Sequence, residues 1–234
     1  MMYIYGVILK NCGIELKYKG ISDYPVSMVN FKDISAPVSY YPESTIKASE
    51  KNILRHELIV EKYFNKETIL PFRFGTIVSY KNTVRDILEK RYEDFISNLV
   101  RLNDTVEFGL TVLWDNSETT ADDMSQGNTR SLDNPAGQGT QYIQGIYEKH
   151  LVSNKVKAKG EEIINIFNKI LKIMSVEYRI NKFPTDDLLF KSAYLVKKSN
   201  IRNFQSLVNA HSREYKLLLT GPWPPYNFVN NNFD

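Results

Sequence analysis

Cysteine is nearly absent from this chain. Cys12 stands alone among 234 residues, which excludes an internal disulfide framework and a cysteine-based structural zinc site. A lone cysteine of this kind reads as a small buried hydrophobe. Long apolar runs are missing too, since none approaches the roughly 18–20 residues that a membrane span needs. The opening Met1-Met2-Tyr3-Ile4-Tyr5-Gly6-Val7 is apolar but short. It has no basic start and no small-residue cleavage site, so it is not read as a signal peptide. The chain is expected to be soluble and cytoplasmic, with no lipid membrane partner.

Charge of one sign is also lacking. The formal net charge is only +3, which gives no case for nucleic acid as a partner. The sign is unevenly spread, however. Residues 1–140 carry 16 Lys/Arg against 19 Asp/Glu, and residues 141–234 carry 14 against 8. This asymmetry reads first as a solvated surface.

Catalytic signatures are absent as well. Gly137-Gln138-Gly139 lacks the Lys-Ser/Thr that would complete a phosphate loop. His56, His150 and His211 lie far apart, and His56-Glu57 has no second histidine to make a zinc helix. A histidine in that setting reads as a surface or interface residue. No serine sits in a Gly-x-Ser-x-Gly elbow, and no pair of carboxylates is set apart for acid–base work. No enzyme, cofactor or metal site is expected.

What remains is ordinary globular material, 42% apolar and 24% charged, enough for one large domain or two small ones. Tyr3 to Leu9 reads as a strand, followed by β-rich pieces at Val26–Phe31 and Ile34–Tyr40. From Ser44 the apolar residues Ile46, Ile53, Leu54, Leu58 and Ile59 recur at helical spacing as far as Phe64. Thr68 to Phe74 is a short β run. Lys81 to Leu102 reads as one helix, with Val84, Leu88, Phe95 and Leu99 on its apolar face. Asp104 to Trp114 alternates, placing Val106, Phe108, Leu110, Val112 and Trp114 on one side of a half-buried strand.

Residues 115–140 are polar and aperiodic. A second cycle follows: a mostly helical stretch from Gln141 to about Met174, strands at Glu177–Phe183 and Leu188–Val196, a helix near 200–210, and a strand at Tyr215–Thr220. The pattern predicts an α+β fold of two domains. The first, over 1–115, is a ferredoxin-like sandwich with its helices on one face of an antiparallel sheet. A polar linker over 116–138 leads to a smaller α+β unit over 139–220, and residues 221–234 form an extended tail rich in proline and aromatics.

Two segments ask for more than packing. In Ile69-Leu70-Pro71-Phe72-Arg73-Phe74-Gly75-Thr76, strand geometry places Phe72 and Phe74 on one face and Arg73 on the other. Pro71 favours an edge, and Gly75 permits a tight exit. Arg73 can pair with Glu57 or Glu61, or present its fork to a partner. The second segment is Leu219-Thr220-Gly221-Pro222-Trp223-Pro224-Pro225-Tyr226-Asn227-Phe228. Its prolines stiffen it and rule out its continuing a strand or a helix. Such a tail must dock, either on a partner or back on the first domain as a clasp, and the clasp is the expected role. Buried Trp223 would then be its anchor. The candidate family-motif or partner-binding residues are Arg73, Phe74, Gly75, Trp223, Pro224, Pro225 and Tyr226.

Taken together, Tyr-Ile-Tyr-Gly-Val at 3–7, the helix bearing Ile53, His56 and Glu61, Leu-Pro-Phe-Arg-Phe-Gly-Thr at 70–76 and the Pro/Trp tail resemble the gas vesicle protein F/L family. The departures are Phe72, where the family often has leucine, and Asn227, where serine is common. The polar stretch 115–136 carries no family signature. The resemblance implies a non-enzymatic accessory or minor structural protein of the gas vesicle, the gas-filled shell that confers buoyancy, with a modified ferredoxin-like first domain. It implies a role in assembly, binding the small hydrophobic shell protein (GvpA-like) and limiting its aggregation. Other accessory gas vesicle proteins are further candidate partners. The alternatives are a scaffold that contacts only those accessory proteins and, from a different class, an enzyme with an interdomain small-ligand pocket.

Overall fold

A computed structural model of the chain describes residues 1–10, 18–113, 158, 160–167, 169–182, 188–212 and 215–229. The polar linker, Cys12, Trp114, His150 and the first part of the helix expected from Gln141 lie outside the described residues. The chain divides into two compact units, Met1–Glu107 together with Pro222–Asp234, and Phe108–Gly221. Both units are α+β.

The first unit is built on an antiparallel sheet. The opening apolar run forms two strands, β1 (Met2–Ile4) and β2 (Gly6–Leu9), rather than one. They follow one another along the same side of β4 (Ile34–Tyr40), with Ile4 opposite Val38 but Ile8 opposite Ser35. One extra residue on the first strand therefore bulges near Tyr5, whose N–H donates to the Pro37 carbonyl at 3.1 Å. On its other side β4 pairs with β3 (Val26–Phe31). The outer positions beyond β1 and β2 are taken by β6 (Ile77–Val78) and β5 (Ile69–Pro71). Pro71 thus sits on an edge strand, where a missing N–H costs nothing.

Helix α1 (Glu50–Phe64) begins at Ser49, whose hydroxyl accepts the Asn52 N–H. The stretch expected as one helix over 81–102 is two, α2 (Lys81–Lys90) and α3 (Tyr92–Arg101), because Arg91 leaves the helical region at φ −116°, ψ 23°. Neither glycine nor proline marks the break. One local and one tertiary contact accompany it instead: Arg91 lies over the Phe95 ring four positions on, and the Tyr92 hydroxyl donates to Asp33 in the β3–β4 turn at 2.8 Å.

The helices are not confined to one face, as the sequence pattern suggests. Adjacent β3 residues point to opposite sides. Met28 accepts from the Tyr63 hydroxyl of α1, whereas Phe31, on the opposite side, meets the Tyr92 ring of α3. The sheet is therefore covered on both faces, which explains why six consecutive residues of β4, Ile34 to Ser39, are all buried.

In the second unit, β7 (Thr105–Leu113) alternates as expected from Phe108 onward. It pairs in a four-stranded sheet of order β10-β7-β9-β8, with β8 at Glu177–Lys182, β9 at Leu188–Lys197 and β10 at Lys216–Trp223. Residues 160–167 and 169–171 are helical (α4), burying Ile163, Ile164, Phe167 and Leu171. Helix α5 (Ile201–Ala210) stacks Phe204 on Phe108 of β7. The last strand runs on through Gly221, Pro222 and Trp223, where the prolines were expected to stop it. It can do so because β10 is an edge strand, and Gly221 takes φ +113° there.

Candidate functional site

The site lies in the first unit, where the segment after β10 returns to α1 and the start of β7. Pro224 and Pro225 are buried, and the chain then curls, with the Phe228 and Val229 N–H groups donating to the Pro225 carbonyl at 3.1 and 3.2 Å. That turn drives Phe228 inward to complete burial. Arg101 at the end of α3 donates to the Phe228 carbonyl and, at 2.8 Å, to Oδ1 of buried Asn98.

Glu107 binds the turn from the other side. Its carboxylate is buried and accepts twice from Asn227, from the backbone N–H at 2.8 Å and from the side-chain amide at 2.5 Å. Burying a carboxylate is costly unless hydrogen bonds replace its water, and here the tail supplies them. Alternation along β7 placed Glu107 on its exposed face. A buried glutamate opposite an asparagine 120 positions later leaves no local signal in the sequence.

Tyr226 completes the attachment. Its hydroxyl lies 3.3 Å from Nε2 of His56, while Nδ1 of the same ring lies 2.9 Å from the Tyr3 hydroxyl, which also accepts the Gly75 N–H at 3.0 Å. His56 is wholly interior rather than a surface histidine, enclosed by the rings of Tyr3, Tyr5, Phe74 and Tyr226. Burial lowers its basicity from the ordinary 6.5 to about 4, with a hydrogen bond to the Phe72 backbone partly offsetting the effect. The ring is thus neutral at physiological pH. A neutral imidazole donates from one nitrogen and accepts at the other, so at least one tyrosine hydroxyl must donate to it. Burial raises the pKa values of Tyr3 and Tyr226 in turn, and Glu57 and Glu107 add to the rise at Tyr226. All three groups stay protonated and uncharged or neutral through the physiological range, as hydrogen-bonding spacers rather than proton carriers. Tyr5, one turn of the sheet away, is closed off by Ser39 at 2.9 Å and the Ile21 N–H at 2.8 Å, and a side chain at Gly20 would strike its hydroxyl.

The residues singled out from the sequence divide accordingly. Gly75, Phe74, Pro224, Pro225 and Tyr226 gather around His56 or in the turn that follows. Gly75 needs its φ of +91° to aim its N–H at Tyr3. Phe72 and Phe74 do not share a face: the strand ends at Pro71, and Phe72 packs on Phe95 of α3 while Phe74 packs on His56 of α1. Arg73 is exposed and forms no ion pair with Glu57 or Glu61 among the described residues. Trp223 is not the anchor, for it is 49% exposed.

Comparison with known proteins bears on this arrangement directly. The family model described as gas vesicle synthesis protein GvpL/GvpF matches residues 1–230, and so includes both the Tyr3–His56 pair and the returning tail. The chain belongs to the GvpL/GvpF family. Among curated relatives, gas vesicle protein F1 of Halobacterium salinarum is 24% identical, covering 98% of this chain and 92% of its own length. Gas vesicle protein F of Microcystis aeruginosa is 23% identical, covering 97% of each. The fold is that of the crystal structure of GvpF from Anabaena sp. PCC7120, with a TM-score of 0.78 at 20% identity over 98% of this chain and 96% of the other. Among the described residues of this GvpL/GvpF protein, no helix is long and apolar enough to cross a membrane.

Proposed function

We propose that this chain is an accessory protein of the gas vesicle that binds the hydrophobic shell protein during assembly and limits its aggregation. Family membership over nearly the whole chain supports the gas vesicle role. The observation that carries the finer reading is the contrast within the tail: Trp223 is held half exposed while Phe228, five positions on, is wholly buried. An exposed tryptophan on a freely moving terminus would lose much of its contact energy to ordering. Anchored by the turn behind it, Trp223 is preorganised as a rigid amphipathic contact of the kind enriched at binding hot spots. A shell subunit whose apolar surface faces gas in the finished vesicle associates indiscriminately in water, and a soluble aromatic contact can cover part of that surface.

On this reading the tail is both clasp and presenting arm, and the vesicle in the cytoplasm is where the protein works. Domains at 1–115, 139–220 and a tail from 221 fit that division of labour, with the tail serving the first. Capture of purified shell protein by the wild-type chain and by Trp223→Ala tests the proposal. Retention by the wild type, reduced at least tenfold in the variant with its melting temperature unchanged, is the expected result. Equal retention by both removes Trp223 from the contact. No retention by either, alongside retention of other accessory gas vesicle proteins, would make the chain a scaffold instead.

A further inference from the structure

Two exposed patches, one in each unit, carry opposite charge around exposed aliphatic side chains. On α1, Leu54 and Leu58 sit one turn apart and both face water, Leu54 at 55% exposure. Beside them Glu50, Glu57 and Glu61 line up on the same face, all exposed and none ion-paired among the described residues. The neighbouring cations of α1 do not compensate: Arg55 pairs with Asp23 at 3.5 Å, and Lys62 lies over the Tyr18 ring. Lys51, exposed at the margin, forms no ion pair with them among the described residues.

The complementary patch is where α4 ends. Lys169 and Lys172 are exposed, and Ile173, at 80%, and Val176 stand out beside them on the turn into β8. The next acid along the described chain, Glu177, is engaged by Arg179 at 3.3 Å. Isolated exposed apolar residues need no explanation. Here two pairs occur, each flanked by charges that form no ion pair among the described residues, and the two charges are opposite in sign.

We propose that copies of this chain associate head to tail, the α1 face of one copy (Glu50, Leu54, Glu57, Leu58, Glu61) seating the α4 end of the next (Lys169, Lys172, Ile173, Val176). The contact is heterologous, so a joined pair leaves one patch of each kind open and the association extends into short chains. Both patches are small against the roughly 800 Å² per partner of a stable interface. The association is therefore weak, concentration-dependent and sensitive to salt, because its charges remain near solvent. Such a weak repeating contact needs no shell protein and stands apart from the role of Trp223.

Sedimentation velocity on the full chain tests it. At ~20 mM salt the weight-average mass should rise as protein is raised from ~10 μM to ~1 mM, and the rise should vanish at ~0.5 M salt. Glu57→Lys/Glu61→Lys and Lys169→Glu/Lys172→Glu should each remain monomeric alone, with unchanged circular dichroism. An equimolar mixture of the two should associate again, because each reversed patch now meets its complement on the other variant. Replacing Leu54 and Ile173 together by serine should lower the association without altering its salt dependence. A wild type that stays monomeric at low salt overturns the proposal. So do charge-reversed variants that associate like the wild type, or a mixture that stays monomeric.

Discussion

The two ends of the C-terminal segment differ in almost every physical respect. Pro222 and Trp223 extend an edge strand and face water, although they include the largest aromatic of the segment. Tyr226 to Phe228 make contacts with α1, α3 and β7 within a single turn, and the side chain that goes deepest is an apolar phenylalanine ring. The difference shows that size does not select the anchor. Pro224 and Pro225 set the direction of the chain, and direction decides which ring is buried. A tryptophan placed before the turn is left for other uses.

That comparison can be broken at several points. The largest effect is expected from Phe228→Ala, which should cost roughly 3–5 kcal/mol, measured by urea denaturation; a loss below ~1 kcal/mol would mean the tail is not an anchor. Next comes acid. The folded basicity of His56, near 4, lies below the ordinary 6.5. The unfolded chain therefore binds the extra proton first, and stability is fully present above pH 6.5 and falls as pH drops toward 4. The loss attributable to this ring is up to about 3 kcal/mol. It is read as the difference in pH dependence between the wild type and His56→Gln, and parallel curves would show that the histidine is solvated.

Glu107→Gln keeps one acceptor for Asn227 but presents an amide where the second hydrogen bond was. It should destabilise by about 1–3 kcal/mol, with protection of the Asn227 amide in hydrogen exchange reduced. Unchanged protection would show that Arg101 and Phe228 hold the turn without it. The smallest effect belongs to Trp223→Ala, at no more than about 1 kcal/mol in the same denaturation experiment. A cost as large as that at Phe228 would erase the distinction between the two ends.

Much of the fold was legible in the sequence because it depends on local periodicity. The alternation of β7 from Phe108 onward buries one face, and burial of that kind writes itself into the pattern. The apolar spacing of α1 and the runs that became β8 and β9 located those elements, but Leu54 and Leu58, read as part of the apolar face of α1, stand exposed. The same holds for the edge position of Pro71 and the return of the tail to the first unit. What could not be read was decided at long range. The break at Arg91 is accompanied by the Tyr92–Asp33 hydrogen bond across 59 positions, not by a helix breaker. Coverage of the sheet on both faces shows only where Met28 and Phe31 reach different helices.

The site itself was half visible. Gly75 and Tyr226 stood out by composition, while His56 and Glu107 look like ordinary polar residues of a helix and a strand. Their burial depends on partners 170 and 120 positions away. Arg73 stood out just as plainly and turned out to face solvent. Composition marks unusual segments without saying which of their side chains will be enclosed.

The separation of His56 from Tyr226 has a bearing on how the protein is made. A ribosome adding residues in order completes the sheet, α1 and α3 long before the segment that closes over them exists. Loop closure across such a distance is slow relative to local pairing. During that interval the aromatic cavity around His56 and the Glu107 carboxylate face the surrounding solution, open to whatever binds unfinished chains. The clasp is thus also a timer: the first unit reaches its final state only after the second has been translated.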